Sequence, residues 1–247
     1  MPFRETEPHF LEPILGIVFD LDGTLVLSHH DFGRIRAEVV RIAERHGVPP
    51  GKLSVRDPVH RIVENAREAM RVAGLPEGEQ WRFEAEYHRA VDAIELEALP
   101  RTVARRGAPE LLEGLAGRGF RLGVLTRSSE AFARAALLRT GLGPFFSYLR
   151  SRSSPGPAKP SPEALLALLK EMGVPVERAL FVGDHLLDAE CATAASVRFY
   201  GVLPDPSEKT DLAAESERFR SAGASAVARD LDELARYLAV TPAARPA

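Results

Sequence analysis

Short apolar runs alternate with helical stripes over most of the chain. The first run covers residues 14–19, is rich in β-branched residues and leads directly into an Asp-Gly turn signal at 22–23. Such a run predicts a strand that is buried on both faces, as at the centre of a parallel sheet. Further strands are predicted at 121–126, 179–182, 197–203 and 225–228, with helices between them. This alternation predicts an α/β fold with a doubly wound parallel sheet.

A different pattern covers residues 31–99, where apolar positions recur every three or four residues. One stripe contains Ile35, Val39 and Ile42, a second covers 59–73, and a third helical stretch covers 81–98. Gly and Pro residues, which commonly end helices, separate these stretches. We therefore predict an all-helical domain of residues 28–103, inserted into an α/β core of residues 1–27 and 104–247.

The composition is that of an ordinary globular protein, with 247 residues of which 45% are hydrophobic and 27% charged. A formal net charge of -3 gives no reason to expect a nucleic acid or a membrane surface as partner. Residues 1–13 carry acids and prolines where a signal peptide needs an apolar stretch, and no apolar run reaches the roughly 20 residues of a membrane span. We expect a soluble, cytoplasmic protein with a frayed end at 241–247.

The single cysteine and several histidines are candidates for reactive groups. Cys191 is the only cysteine, so it forms no intrachain disulfide, and its Ala-rich surroundings predict a small packed residue rather than a reactive thiol. His29 and His30 stand at the entry to the helical insertion, where contact with a substrate and simple exposure are both open. His185 is not expected to be a metal ligand.

Polar residues gather where predicted strands end, which is where open α/β sheets bind their ligands. Taken alone, Asp22 is explained as a turn former, Lys159 as a solvated cation and Asp188 as a helix cap. Their appearance in one order after successive strands is what indicates a site. The candidates are Asp20, Asp22, Gly23, Thr126, Arg127, Lys159, Asp184 and Asp188.

In these same motifs the sequence resembles the haloacid dehalogenase superfamily. The matching motifs are Asp-Leu-Asp-Gly-Thr at 20–24, Thr126, Lys159-Pro160, and Gly-Asp-His-Leu-Leu-Asp at 183–188. The helical insertion and the segment 223–227 are similar to the phosphoglycolate-phosphatase-like branch, whose insertion is a cap. Arg127 stands where many relatives have Asn. The stretch 205–220 is longer than that branch usually carries, and we assign it no role.

The resemblance implies a magnesium-dependent phosphatase that hydrolyses small-molecule phosphate monoesters. Asp20 would form an aspartyl-phosphate, and Asp22 would act as general acid and then general base. Mg²⁺ would be held by the Asp20 carboxylate, the Asp22 backbone carbonyl and the Asp184 carboxylate, with Asp188 in support. The helical cap would close over the substrate and exclude water. The groups implied to bind the phosphoryl are Gly23, Thr126, Arg127 and Lys159.

Three other functions share part of this pattern. A phosphomutase or phosphotransferase would use the same chemistry on Asp20 and Asp22. A dehalogenase needs the nucleophile but no metal, so the presence of Asp22 and Asp184 argues against it. A non-catalytic scaffold would keep only the fold. The sequence leaves open the substrate and the choice between monomer and homodimer.

Overall fold

The computed structural model describes residues 14–204 and 211–239. The sequence predicts no signal peptide at 1–13 and a frayed end at 241–247, and both segments lie outside the described residues. Positions 205–210 of the stretch without an assigned role also lie outside them. The described chain divides into two compact units. The first unit contains the residues up to Ser28 and those from Thr102 onward, and the second is His29–Arg101.

Strands and helices alternate along the first unit, whereas the second contains helices. The strands of the described chain are β1 (Gly16–Phe19), β2 (Val26–Leu27), β3 (Val103–Ala104), β4 (Arg121–Leu125), β5 (Tyr148–Arg150), β6 (Ala179–Gly183), β7 (Arg198–Val202) and β8 (Ala226–Ala228). Its α-helices are α1 (Phe32–Arg45), α2 (Val59–Val72), α3 (Glu77–Ala98), α4 (Ala108–Gly117), α5 (Glu130–Arg139), α6 (Pro162–Met172), α7 (Leu186–Ala194), α8 (Leu212–Ser221) and α9 (Leu231–Tyr237).

Six of the strands form one parallel sheet in the order β5-β4-β1-β6-β7-β8. All four residues of β1 are buried, as its apolar sequence predicts for a central strand. Strands β4 and β5 lie on one side of β1, and strands β6 to β8 lie on the other. The carboxyl ends of β1, β4 and β6 are therefore neighbours at the point where the strand order reverses, which is where such sheets bind ligands. The predicted α/β fold is confirmed.

An apolar core between the sheet and its helices holds these strand ends in place. Val18 on β1 and Phe181 on β6 are buried in one cluster with Leu168 of α6 and Ala192 of α7. Burial of each large apolar side chain contributes roughly 1.5–3 kcal/mol. The core thus fixes the strands whose last residues carry the polar groups.

Two local features differ from the predictions. Strands β2 and β3 pair antiparallel, with Val26 opposite Ala104. The sequence does not predict them, because a two-residue strand is too short to show a periodicity. The sequence predicts a capping box of Asp230 and Glu233 at the last helix. The Asp230 side chain accepts a bond from the Glu233 N–H (2.7 Å), which is one half of that box. The Glu233 carboxylate, however, accepts from the Arg229 N–H (2.7 Å), one residue before the position that a capping box uses.

The second unit, His29–Arg101, is a three-helix assembly with its own apolar core. The predicted stripe residues Ile35, Val39 and Ile42 of α1 are buried there with Phe83 of α3. Helix α3 begins at Glu77, directly after Pro76 and four residues before the predicted start. Among the helices at 14–204 and 211–239, none has both the length and the hydrophobicity that a membrane span requires.

Candidate active site

The loop that follows β1 places Asp20 at the edge of the sheet. The Asp20 N–H donates to the Val182 carbonyl (2.9 Å), which continues the pairing of β1 with β6. The chain then turns, and the N–H groups of Leu25 and Val26 both donate to the Leu21 carbonyl, at 2.8 and 3.0 Å. Asp20 is only 9% exposed. The sheet and the turn together fix the backbone that carries its carboxylate.

Lys159 is a buried cation that joins two carboxylates. Its Nζ lies 2.7 Å from Asp20 Oδ1 and 2.7 Å from Asp188 Oδ1. The residue is 2% exposed, and its Nζ lies 5.5 Å from the centre of the Phe181 ring. A charge in such surroundings is tolerated when it is paired with opposite charges. Lys159 is thus not the solvated cation that its loop alone would suggest.

The electrostatics of this pair depend on burial and on mutual attraction. Burial raises the pKa of Asp20 to about 7, and the adjacent Lys159 ammonium opposes that rise. Burial also disfavours the charge on Lys159, but the attraction of Asp188 and Asp20 outweighs it and raises the lysine pKa above its usual value. Lys159 is therefore charged at neutral pH, whereas full ionisation of Asp20 needs more positive charge nearby.

Asp184 follows β6 and contacts the loop after β1. The Thr24 hydroxyl donates to Asp184 Oδ1 (2.5 Å). Gly23 has a φ of +88°, and a Cβ atom on it would lie 2.1 Å from Asp184 Oδ2, so only glycine fits at this position. Burial, together with the charges of Asp20 and Asp188, raises the pKa of Asp184 well above its ordinary value.

Asp188 combines two roles that seemed to be alternatives in the sequence. Its Oδ1 pairs with Lys159, and its Oδ2 accepts from the His185 N–H (3.1 Å) at the start of α7. The His185 ring accepts from the Leu187 N–H (3.1 Å), which completes a capping box. Asp188 is therefore both a helix cap and a buried partner of Lys159.

The Asp22 carboxylate is held by the backbone at the end of strand β2. Its Oδ1 accepts a hydrogen bond from the Ser28 N–H (3.1 Å). Asp22 is partly exposed, in contrast to Asp20, so its carboxyl group stands closer to solvent. This difference in environment is what distinct roles for two neighbouring carboxyl groups require.

Thr126 and Arg127 follow β4 on the other side of β1. Thr126 is 3% exposed, its N–H donates to the Arg150 carbonyl (2.9 Å), and its Oγ1 accepts from the Ser128 N–H (3.1 Å). The Arg127 guanidinium donates to the backbone carbonyl of Lys159. Arg127 thus braces the loop that carries Lys159, a contact that the sequence did not reveal. Its predicted contact with a phosphoryl group stays a prediction.

The structure also shows how the remaining reactive residues are placed. Thr24 is fully buried, and its bond to Asp184 spans 160 positions of the chain, so motif spacing alone could not pair them. Cys191 is buried, and burial raises the pKa of its thiol to about 12, which agrees with a packed residue. His29 and His30 begin the helical unit, and their contact with a substrate stays a prediction.

The carboxylates of the site fit a hard divalent cation. Asp20, Asp184 and Asp188 each offer a carboxylate oxygen, and these three atoms lie within 4.8 Å of one another. When ionised, these three carboxylates outnumber the Lys159 ammonium by two charges in a largely buried space. Oxygen ligands with an excess of negative charge suit Mg²⁺. A shared ion requires the Asp20 and Asp184 carboxylates to lie close together, and they do.

Comparisons with known proteins agree with this geometry. A model of the haloacid dehalogenase-like hydrolase family matches residues 14–196. A phosphoglycolate phosphatase of Rhodospirillum rubrum is 32% identical over 216 residues, covering 84% of this chain and 89% of the relative. An N-acetylmuramic acid 6-phosphate phosphatase of Pseudomonas aeruginosa is 31% identical over 202 residues, covering 77% and 84%.

A solved structure supports the fold. The crystal structure of a hydrolase from Pseudomonas syringae matches with a TM-score of 0.63 at 23% identity, covering 91% of this chain and 97% of that one. Together, these matches confirm the predicted superfamily, its phosphoglycolate-phosphatase-like branch and the predicted phosphatase class of enzyme. The chain belongs to the haloacid dehalogenase-like hydrolase family.

Proposed function

We propose that this protein is a magnesium-dependent phosphatase that hydrolyses small phosphate monoesters through an aspartyl-phosphate on Asp20. The observation that carries the proposal is the buried Lys159, whose Nζ lies 2.7 Å from Asp20 Oδ1, beside an Asp184 carboxylate that approaches Asp20 closely. This arrangement provides a nucleophile, a fixed positive charge and donors for a cation at one sheet edge.

The first half of the reaction forms a bond between Asp20 and phosphorus. A carboxylate oxygen of Asp20 attacks the phosphorus atom while the bond from phosphorus to the ester oxygen breaks. Asp22 gives its proton to the departing oxygen, which leaves as an alcohol. The Thr126 hydroxyl accepts from the Ser128 N–H, so its own hydrogen is directed elsewhere and is suited to a phosphoryl oxygen.

The second half returns the enzyme to its starting state. Asp22, now a carboxylate, takes a proton from a water molecule as that water attacks the phosphorus of the aspartyl-phosphate. The bond from phosphorus to Asp20 breaks, inorganic phosphate leaves, and Asp22 is protonated again. The backbone N–H of Ser28, which donates to Asp22 Oδ1 at 3.1 Å, keeps the carboxyl in one orientation through both steps.

Charge balance explains why a cation belongs to this mechanism. Without it, burial keeps the pKa of Asp20 near 7 and that of Asp184 well above its usual range, so the nucleophile is incompletely ionised. The Asp20 and Asp184 carboxylates and the Asp22 backbone carbonyl would hold Mg²⁺, whose positive charge would favour the ionised carboxylates and offset the charge of the phosphoryl group. Lys159 adds a second positive charge, since its Nζ lies 2.7 Å from Asp20 Oδ1 and 2.7 Å from Asp188 Oδ1.

For substrates, we propose small phosphorylated acids and sugars of the kind named for the curated relatives. Those relatives are called phosphoglycolate phosphatase and N-acetylmuramic acid 6-phosphate phosphatase. We propose that the helical unit, His29–Arg101, acts as the cap that selects among them. The shared chemistry is hydrolysis of an alkyl phosphate, which requires the proton from Asp22 because an alkoxide is a poor leaving group.

The test is phosphate release from a panel of metabolite phosphoesters, with and without Mg²⁺. We expect activity that disappears with EDTA and returns with Mg²⁺, and one molecule of phosphate for each ester consumed. Asp20→Asn should lower kcat by on the order of 10⁴-fold or more, because the nucleophile is lost. Asp232→Asn, at an exposed position of α9, serves as the matched control and should have wild-type activity. Full activity in metal-free buffer, or consumption of ester without phosphate release, would contradict the proposal.

A further inference from the structure

A buried arginine contacts the loop that follows β1 and carries Asp22 and Gly23. Arg105 directly follows β3 and is 3% exposed, whereas the side chain of its neighbour Arg106 is 88% exposed. The Arg105 backbone N–H donates to the Leu25 carbonyl (2.9 Å), which extends the pairing of β2 with β3. Arg105 thus extends the strand pairing by one residue, and Arg106 lies in the turn that follows.

The guanidinium of Arg105 joins two loops at the carboxyl edge of the sheet. One nitrogen, Nη1, donates to the Gly23 carbonyl (2.5 Å), and Nη2 donates to the Leu203 carbonyl (2.5 Å). Gly23 belongs to the loop after β1, and Leu203 follows β7. The planar, two-pronged guanidinium can hold two acceptors at a fixed separation, which a lysine ammonium on its flexible stem does not do.

The loop that Arg105 holds carries the proposed acid and base. Gly23 follows Asp22 directly, and Thr24, the next residue, donates to Asp184 Oδ1. A Cβ at Gly23 would lie 2.1 Å from Asp184, so the peptide at 23 has little space in which to move on that side. The bond from Arg105 to the Gly23 carbonyl restrains the same peptide.

We propose that Arg105 is a positioning residue that fixes the orientation of the Asp22 carboxyl through the Gly23 peptide. The inference rests on the proposed function, since it assigns Asp22 the proton transfer. In this role Arg105 acts on the Gly23 peptide, which directly follows Asp22. Its loss therefore affects the step that depends on proton delivery more than the attack by Asp20.

Leaving-group dependence separates these two effects. An alkyl phosphate needs a proton on its departing oxygen, whereas 4-nitrophenyl phosphate releases a stable phenolate without one. Since kcat/KM reports the steps up to formation of the aspartyl-phosphate, Arg105→Met should lower it about 10²-fold for 2-phosphoglycolate. For 4-nitrophenyl phosphate the same variant should stay within about threefold of wild type.

Two further variants complete the design. Arg105→Lys keeps the charge but not both bonds, so it should give an intermediate loss with the same preference for the aryl ester. Arg121→Met is the matched control, because the Arg121 guanidinium also donates to two carbonyls, those of Met172 (2.9 Å) and Gly173 (2.7 Å), away from the site. It should change both esters equally and by little. Circular dichroism confirms that each variant is folded, and Arg105→Lys carries the test if Arg105→Met is not.

Asp22→Asn separates the inference from the function on which it depends. If Asp22→Asn lowers kcat/KM more for the alkyl than for the aryl ester and the Arg105 variants do likewise, the inference is supported. If Asp22→Asn shows this signature but the Arg105 variants lower both esters equally, the Arg105 role alone is overturned. If Asp22→Asn itself shows no such preference, the acid role of Asp22 is wrong and the inference is overturned with it.

Discussion

Gly23 is the residue at which the backbone after β1 meets the Asp184 carboxylate. Its φ of +88° is strained for any residue with a Cβ, and that atom would lie 2.1 Å from Asp184 Oδ2. We expect Gly23→Ala to displace Asp184 and to lower kcat/KM for 2-phosphoglycolate at least about 10²-fold, since misplacement by about 1 Å has costs of that order. The Mg²⁺ concentration for half-maximal activity should rise as well.

The control must share the backbone strain but not the contact. Gly119, between α4 and β4, has a φ of +79°, and a Cβ there would meet nothing within 4 Å. Gly119→Ala should destabilise the fold by about 1–2 kcal/mol, the usual cost of a left-handed conformation, with unchanged kcat/KM. Wild-type kcat/KM in Gly23→Ala would show that the contact with Asp184 has no part in catalysis.

At the residue scale, the sequence reveals chemical type more readily than partnership. The order of Asp20, Thr126, Lys159 and Asp184 after successive strands was enough to predict a common site, because strand ends in a parallel sheet share one edge. The partners of Arg127 could not be predicted in this way. Its guanidinium binds the Lys159 carbonyl, and backbone acceptors leave no mark in the sequence. Arg105 and Arg106 are likewise the same residue type, yet Arg105 is buried and the Arg106 side chain is exposed.

Among the elements, α1 and α3 are joined by a histidine that contacts two carboxylates. His46 Nδ1 lies 2.6 Å from Glu79 Oε1, and Nε2 lies 2.7 Å from Glu86 Oε2. The His46 side chain is 11% exposed, and its hydrogen bonds lower the pKa of both glutamates. We expect His46→Ala to lower the free energy of unfolding by about 1–3 kcal/mol, because both charge-assisted bonds between the helices are lost.

Thermal unfolding of the whole chain measures this effect. At this chain length, each kcal/mol corresponds to roughly 2–4 °C in Tm. Arg41→Ala is the control, since Arg41 also pairs with a glutamate, Glu38, but on the exposed face of α1 itself. Exposed pairs of this kind contribute little, so its Tm should match that of wild type within error. Equal losses in the two variants would show that His46 does not join the helices.

An element was predictable where it had one of two signals: a helical periodicity over several turns, or a continuous apolar run. The stripe of α1 and the apolar run of β1 both met this condition. Helix α1 contains the predicted stripe residues, and β1 lies inside the predicted run 14–19. The pair of β2 and β3 did not meet this condition, since two residues cannot show a period of two. Short elements of this kind are specified by tertiary contacts, here by the return of the chain beside the loop after β1.

Over the whole molecule, each compact unit has a separate apolar core. Val18, Phe181 and Leu168 belong to the core of the first unit, and Ile42, Ile62 and Phe83 to that of the helical unit. A unit with its own core has the main requirement for folding alone. The candidate catalytic residues from Asp20 to Asp188 all belong to the first unit, so their arrangement does not need residues of the second.

Removal of the helical unit is therefore a direct test of its predicted role as a cap. Leu27 of β2 lies opposite Val103 of β3 in an antiparallel pair, so a four-residue Gly-Ser linker can join Ser28 to Thr102 as a hairpin loop in place of His29–Arg101. We expect the shortened protein to fold and to hydrolyse 4-nitrophenyl phosphate in the presence of Mg²⁺, with Asp20→Asn in the same background as blank. Its preference among metabolite phosphoesters, measured as ratios of kcat/KM, should fall to within about threefold, because a site without a lid binds little beyond the phosphoryl group. If the shortened protein keeps the wild-type ranking of esters, selectivity is a property of the first unit, and the helical unit is not the cap that selects the substrate.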